Sequence, residues 1–210
     1  MLKKEELKNI VSISIALAAI IAVIYLYTLS SDLTLPYIGR AVSFGITLTT
    51  LFWTYYFTTG WKWKISNWIF YRPNINGTWA GTIISDYVDT NGNKVPPIEF
   101  YIVIRQSFIK LHFTTFTKDF VGVSYSETFA LNKDKGLKNV AYLYKKDSTQ
   151  SNDEHLREGA TELRLILGKD EKILEGKYWS NTKTQGTVSV TQISEKHVDS
   201  FTNAKKIENV

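Results

Sequence analysis

Beyond residue 100 the chain carries side chains that can both stack and hydrogen-bond: Tyr101, Tyr142, Tyr144, Tyr178 and Trp179. Two arginines interrupt otherwise apolar runs, Arg105 in YIVIRQS and Arg164 in TELRLIL. Strict strand alternation puts Tyr101, Val103 and Arg105 on one face, and Tyr142 and Tyr144 together on another. Aromatic faces with guanidinium groups suit a flat, anionic ligand such as a nucleotide, through stacking and forked phosphate contacts. Each residue alone also reads as an ordinary strand aromatic or a solvent-facing arginine, so the weight rests on the constellation. Catalysis has little to build on. There is no cysteine, and His112, His155 and His197 lie far apart in the chain. Asp153-Glu154-His155 has metal-binding side chains, but such a triplet in a polar loop reads as solvated surface. No Gly-rich phosphate loop, Walker signature or HExxH motif occurs. The residues point to a binding protein rather than an enzyme, with no metal and no cofactor.

These side chains must be positioned by what surrounds them, and the chain opens with two apolar runs. Ile10 to Leu29 and Ala41 to Thr59 carry no charged side chain. About twenty residues at 1.5 Å each cross a ~30 Å hydrocarbon core. A signal peptide is the competing reading for the first run, but its apolar length exceeds the usual core of such peptides. The short link SSDLTLPYIGR, with Pro36 as a helix break or start, makes the two runs an antiparallel hairpin. Residues 1–60 therefore read as a transmembrane helical hairpin, with helices at about 10–30 and 37–59. Lys3, Lys4 and Lys8 precede it, Lys62, Lys64 and Arg72 follow it, and the link offers only Arg40 beside Asp32. The positive-inside rule then sets both termini in the cytoplasm. Residues 61–73, where Trp61, Trp63 and Trp68 alternate with lysines, read as a collar at the lipid headgroups. The net charge of +5 is spread along the chain, which argues against binding duplex DNA or RNA.

From Asn74 the pattern changes to short β-type runs separated by turn signals, among them Asn91-Gly92 and Lys118-Asp119. Eight such runs over 74–194 suit an up-and-down antiparallel β-barrel, lipocalin-like, with a two-sheet sandwich as the other architecture. A barrel of that size fills its interior with side chains or holds one small ligand. Trp79, between Gly77 and Gly81 at the start of the first run, is expected to plug one end of the barrel, as the Gly-x-Trp of lipocalins does. Residues 195–210 read as a polar tail that frays.

Two N-terminal membrane helices, a barrel opening with GTWAGTI, an early IRQS and a closing LEGKYWSNTKTQGTV together resemble a known family. These are the two-transmembrane β-barrel effectors of bacterial cyclic-oligonucleotide-based antiphage signalling systems (CBASS), also described as SMODS-associating 2TM β-strand-rich effectors. The resemblance runs from the helices to about Ile193 and is sharpest at Gly176, Tyr178, Trp179, Asn181, Lys183, Thr184 and Gly186. Thr182 stands where the family pattern carries Arg, and His155 with Gly159 loosely represents a further family element. The resemblance implies a defence effector in the bacterial inner membrane. Its cytoplasmic barrel would bind a cyclic dinucleotide made by a cognate nucleotidyltransferase. Binding would drive homo-oligomerisation and membrane disruption, killing the infected cell. Pattern and resemblance together nominate Arg105, Tyr142, Tyr144, Tyr178, Asn181, Lys183 and Thr184 as ligand-binding residues. The other functional readings are a membrane-tethered, lipocalin-like carrier of a lipid or other apolar small molecule, and an adaptor with a solid barrel.

Overall fold

A computed structural model of the chain describes residues 4–29, 34–63, 66, 70–89, 91–132, 136–148, 157–169 and 171–209. The chain divides into two compact units: Met1–Arg72 with Ser107–Ile109, and Pro73–Gln106 with Lys110–Val210.

In the first unit, helix α1 (Lys4–Leu29) precedes helix α2 (Leu35–Thr58), whose start is set by Pro36 in its first turn. The pairs Ser14–Trp53, Ala18–Gly45 and Tyr25–Phe44 run in opposite directions along the two helices, so they pack antiparallel. Ala41, Gly45, Thr49, Trp53 and Tyr56 are buried at three- and four-residue steps, which is one face of α2. The helices approach so closely that a Cβ on Gly45 would lie 2.5 Å from the backbone oxygen of Ala18. The Trp53 indole N–H donates to Ser14 Oγ at 2.8 Å. By length and apolarity, α1 is the one helix among the described residues that qualifies to cross a membrane, from Lys4 to Thr28. The expectation of two equivalent transmembrane helices is thereby corrected to one such helix with a more polar companion. Arg40, the threonines and the tyrosines lower the apolarity of α2, and Thr47, Thr50, Thr54 and Thr58 donate their hydroxyls back to carbonyls four residues earlier. After a 3-10 turn (Gly60–Lys62), Trp61 is buried among Trp53, Tyr56, Phe70 and Phe108, while Trp63 is exposed. Of the three indoles expected in the collar, Trp61 thus lies inside protein and Trp63 is exposed, while Trp68, like Lys64, lies outside the described residues.

The second unit is a closed barrel of eight strands: β1 (Gly77–Ser85), β2 (Ile98–Gln106), β3 (Leu111–Phe116), β4 (Phe120–Asn132), β5 (Leu137–Ser148), β6 (Arg157–Leu167), β7 (Lys172–Ser180) and β8 (Gln185–Ser194). Every neighbour pairs antiparallel, and β1 pairs with β8 through Ile83↔Val188 and Thr82↔Ser189, which rules out the two-sheet sandwich. Inward residues follow the two-residue period. Their chemistry grades along the barrel: Lys146, Tyr144, Tyr142 and Val140 on β5; Arg157, Gly159, Thr161 and Leu163 on β6. Trp79, Ile102, Ile104, Phe113, Leu174 and Val190 complete a dry floor at one end, each no more than 1% exposed. Trp79 is fully buried there, and its indole N–H donates to the Ile75 carbonyl at 3.0 Å.

The stretch expected to fray instead forms helix α3 (Phe201–Glu208), capped by Ser200, whose Oγ accepts from the Asn203 N–H at 3.3 Å. Phe201, Ala204 and Ile207 pack on the outer face of β1, β2 and β3 at Ala80, Tyr101, Val103 and Phe116. Lys205 Nζ lies 2.8 Å from Glu99.

Candidate ligand-binding site

The barrel end opposite the floor is hollow. A cavity of about 600 Å³ opens there, within the range of small-molecule sites. It is lined by residues from every strand, and among them are four of the residues nominated from the sequence: Tyr142, Tyr144, Tyr178 and Thr184.

The tyrosines form the inner wall. Tyr142 stacks on Phe113 with ring centroids 4.3 Å apart and planes 11° apart. Burial raises its hydroxyl pKa, opposed by a hydrogen bond with Thr161. Tyr144 lies 6.1 Å from Tyr142, and its pKa is pushed up to about 12 by burial, with the neighbouring Tyr178 adding to the effect. Both outer tyrosines lean over glycines of the next strand. A Cβ on Gly159 would come within 2.5 Å of the Tyr144 hydroxyl oxygen, and one on Gly186 within 2.8 Å of Tyr178 Cε1. The missing side chains are the recess into which these rings settle.

At the mouth, Lys146 and Arg157 stand directly opposite each other on β5 and β6 and both line the cavity. Lys146 Nζ lies 4.8 Å and Arg157 Cζ 4.9 Å from the ring centroid of Phe120. Burial lowers the pKa of Lys146, and the adjacent Arg157 charge lowers it further. Next to them, the β7–β8 turn presents hydroxyls. Ser180 Oγ is 2.8 Å from Thr182 Oγ1 and 2.7 Å from Thr184 Oγ1, and all three residues line the cavity. The turn is pinned to β6 because the Asn181 N–H donates to the Glu158 carbonyl at 2.8 Å and the Glu158 N–H donates to Asn181 Oδ1 at 3.1 Å.

The other nominated residues go elsewhere. Arg105 is exposed on the outer face of β2, opposite His112, outside the cavity. Its face-mates Tyr101 and Val103 are buried under α3. Asn181 supports the turn, and Lys183, exposed at a φ of 59°, holds the left-handed position within it. Arg164 also faces outward. His112 sits beside Ser124 and Glu127 at the β4 bulge, and His197 bonds to Asn76 and the Ile104 carbonyl. Asp153, Glu154 and His155 lie outside the described residues. The cations that do reach the cavity, Lys146 and Arg157, were not among the nominated residues; the signal for Lys146 was its place after Tyr142 and Tyr144 at the same two-residue step, whereas Arg157 lies in a stretch that reads as a polar loop.

Residues 70–192 match the profile of the family described as Cap15, cyclic dinucleotide receptor domain. CD-NTase-associated protein 15 of Staphylococcus schleiferi is 22% identical over 152 residues, spanning 72% of this chain and 79% of that protein. The family match covers the barrel and its cavity, so an aromatic chamber with a cationic mouth and the profile of a nucleotide receptor coincide on the same strands. This chain belongs to the Cap15 cyclic dinucleotide receptor family of CBASS effectors.

Proposed function

We propose that the mouth cavity of the barrel binds a cyclic dinucleotide, and that binding converts a membrane-anchored monomer into an assembly that breaches the bacterial inner membrane. The observation that carries this reading is the cavity itself: tyrosine faces within, and the Lys146–Arg157 pair above them. Nucleobases stack on aromatic faces for about 1–3 kcal/mol each, and phosphodiesters seek cations and hydroxyl donors. An apolar lumen throughout would have favoured the lipid carrier; here the floor is packed solid, and the open end sets Lys146, Arg157 and the hydroxyls of Ser180, Thr182 and Thr184 among aromatic and aliphatic side chains. No catalytic step is needed by a receptor of this kind.

The barrel would sit on the cytoplasmic side, where a cognate nucleotidyltransferase releases its product. Helix α1 would anchor the chain in the bilayer. Ligand can drive assembly only by binding the assembled state more tightly than the resting one.

The test uses the full chain in detergent micelles and in dye-loaded phospholipid vesicles, titrated with cyclic di-GMP, cyclic di-AMP, cyclic GMP–AMP and cyclic UMP–AMP. We expect one of them to raise the unfolding temperature saturably, because a ligand of the folded state alone must stabilise it. The same compound should enlarge the particle and release dye. Folded protein that responds to none of the panel would overturn the receptor reading; binding without dye release would overturn the membrane-disruption step.

A further inference from the structure

We infer that the outer wall of β6 and β7 is a docking surface for a second copy of this chain. This rests on the reading that ligand drives assembly, and it names where the barrels touch.

The outward residues of the two strands face each other in rows. Ala160 lies opposite Trp179, Glu162 opposite Lys177, Arg164 opposite Glu175, and Ile166 opposite Ile173. Two charged rows thus sit between two apolar ones. The signs alternate along each strand as well as across the pair, so the charged side chains form a checkerboard. All of them are exposed, and Trp179 keeps half of its surface in solvent. With Trp179 they line a shallow hollow of about 590 Å³ on the outside of the barrel. Among the described residues no ion pair closes between these strands, although opposite charges face each other. Glu162 instead accepts from Asn139 Nδ2 at 3.2 Å.

Such a pattern fits itself. A two-fold axis lying in the contact plane exchanges either the rows or the strands. With the axis across the strands, Glu162 meets the other copy's Arg164, Lys177 its Glu175, and Trp179 its Ile173. With the axis along the strands, Glu162 meets the other copy's Lys177, Arg164 its Glu175, and Trp179 its Ala160. Neither arrangement brings like charges together. At ~3.3 Å per residue and ~4.8 Å between strands the rows cover roughly 200 Å², whereas stable complexes bury about 800 Å² on each partner. Two barrels would therefore part in dilute solution and meet when both are held in one bilayer, where anchoring raises their effective concentration. Tyr178, which lines the cavity, sits between Lys177 and Trp179 on β7, so one strand carries both the ligand wall and the contact.

The chain has no cysteine, so Lys206→Cys, at an exposed position on α3, takes a single donor or acceptor dye. Labelled full chains are reconstituted in phospholipid vesicles. Energy transfer between copies is followed against the protein-to-lipid ratio, with and without each of the four cyclic dinucleotides named above. Lys177→Glu sets a carboxylate against the other copy's Glu162 or Glu175, and should raise the density needed for half-maximal transfer about 10-fold. A second variant inverts the whole checkerboard: Glu162→Lys, Arg164→Glu, Glu175→Lys and Lys177→Glu. It should associate with itself as wild type does but not with wild type, because every contact between the two would then join like charges. If the inverted chain does not fold, Lys177→Glu, a surface change, decides alone. Wild type at the random-mixing level throughout, Lys177→Glu equal to wild type, or a folded inverted chain that pairs with wild type as well as with itself would each overturn the inference. If the charge rule holds but no nucleotide changes transfer, the surface stands and ligand-driven assembly falls. If a nucleotide releases vesicle dye equally from wild type and Lys177→Glu, the receptor reading stands and the surface falls.

Discussion

Tyr144 shows how a residue chosen for stacking also reports on the state of the barrel. Its hydroxyl, pushed up to about 12 by burial and by Tyr178, ionises later in the folded protein than at the ~10 of an exposed tyrosine. Between those values the unfolded chain releases a proton that the folded one keeps, so stability falls as pH rises. The slope is about 1.4 kcal/mol per pH unit for this group, absent below pH ~10 and complete near 12. Denaturant unfolding of the full chain across that window should show a shallower loss in Tyr144→Phe than in wild type. An identical slope would mean that other groups dominate the alkaline limb. The residue scale is also where sequence reasoning stopped short. Alternation tells which residues share a face but not which face points inward. In IEFYIVIRQ both faces are apolar, because Phe100, Ile102 and Ile104 fill the lumen while Tyr101 and Val103 are covered by α3. Arg105 was therefore legible as the face-mate of Tyr101, yet the face proved to be the outer one. On β5 the alternate residues Leu143 and Lys145 are exposed, so the face that Tyr142 and Tyr144 share is the inner one. Asn181 and Lys183 lie in a turn, where the two-residue period ends and the left-handed backbone of Lys183 decides direction.

Among the elements, the helix seam and α3 differ in how plainly they were written. The apolar run of α1 is unmistakable from composition, but the closeness of the seam depends on one small residue. Replacing Gly45 by Val would drive a methyl group into the Ala18 carbonyl and push the helices apart. We expect a loss of about 1–3 kcal/mol, read by unfolding in detergent, together with altered Trp53 emission as its bond to Ser14 breaks. Helix α3 was invisible in a polar-looking tail because its three apolar residues make sense only against the groove they cover. Ala204→Asp would bury a carboxylate at a fully buried position facing Tyr101 and Val103. It should release the amides of 201–208 to fast hydrogen exchange and lower the melting temperature. Cyclic dinucleotide affinity should stay unchanged, since α3 lies on the outer wall and the cavity on the inner. A fall in affinity would show that the outer cover shapes the mouth.

The barrel as a whole was legible in the spacing of eight runs and their turn signals, which local pairing rules convert into a meander. Its closure was not, because joining β1 to β8 is a contact between the two ends of that meander that no short stretch announces. Closure has a consequence for any contact between two copies of such a receptor. Over its paired length each strand has a partner on both sides, and the wall offers no edge there to a second copy. The exception is β4, which pairs with β3 only from Val121 to Val123 but runs on beside β5 to Asn132. Strand addition, the route that makes amyloid-like stacks so hard to reverse, is confined to that overhang. Everywhere else a contact between copies has to be written in side chains, where a single substitution can remove it.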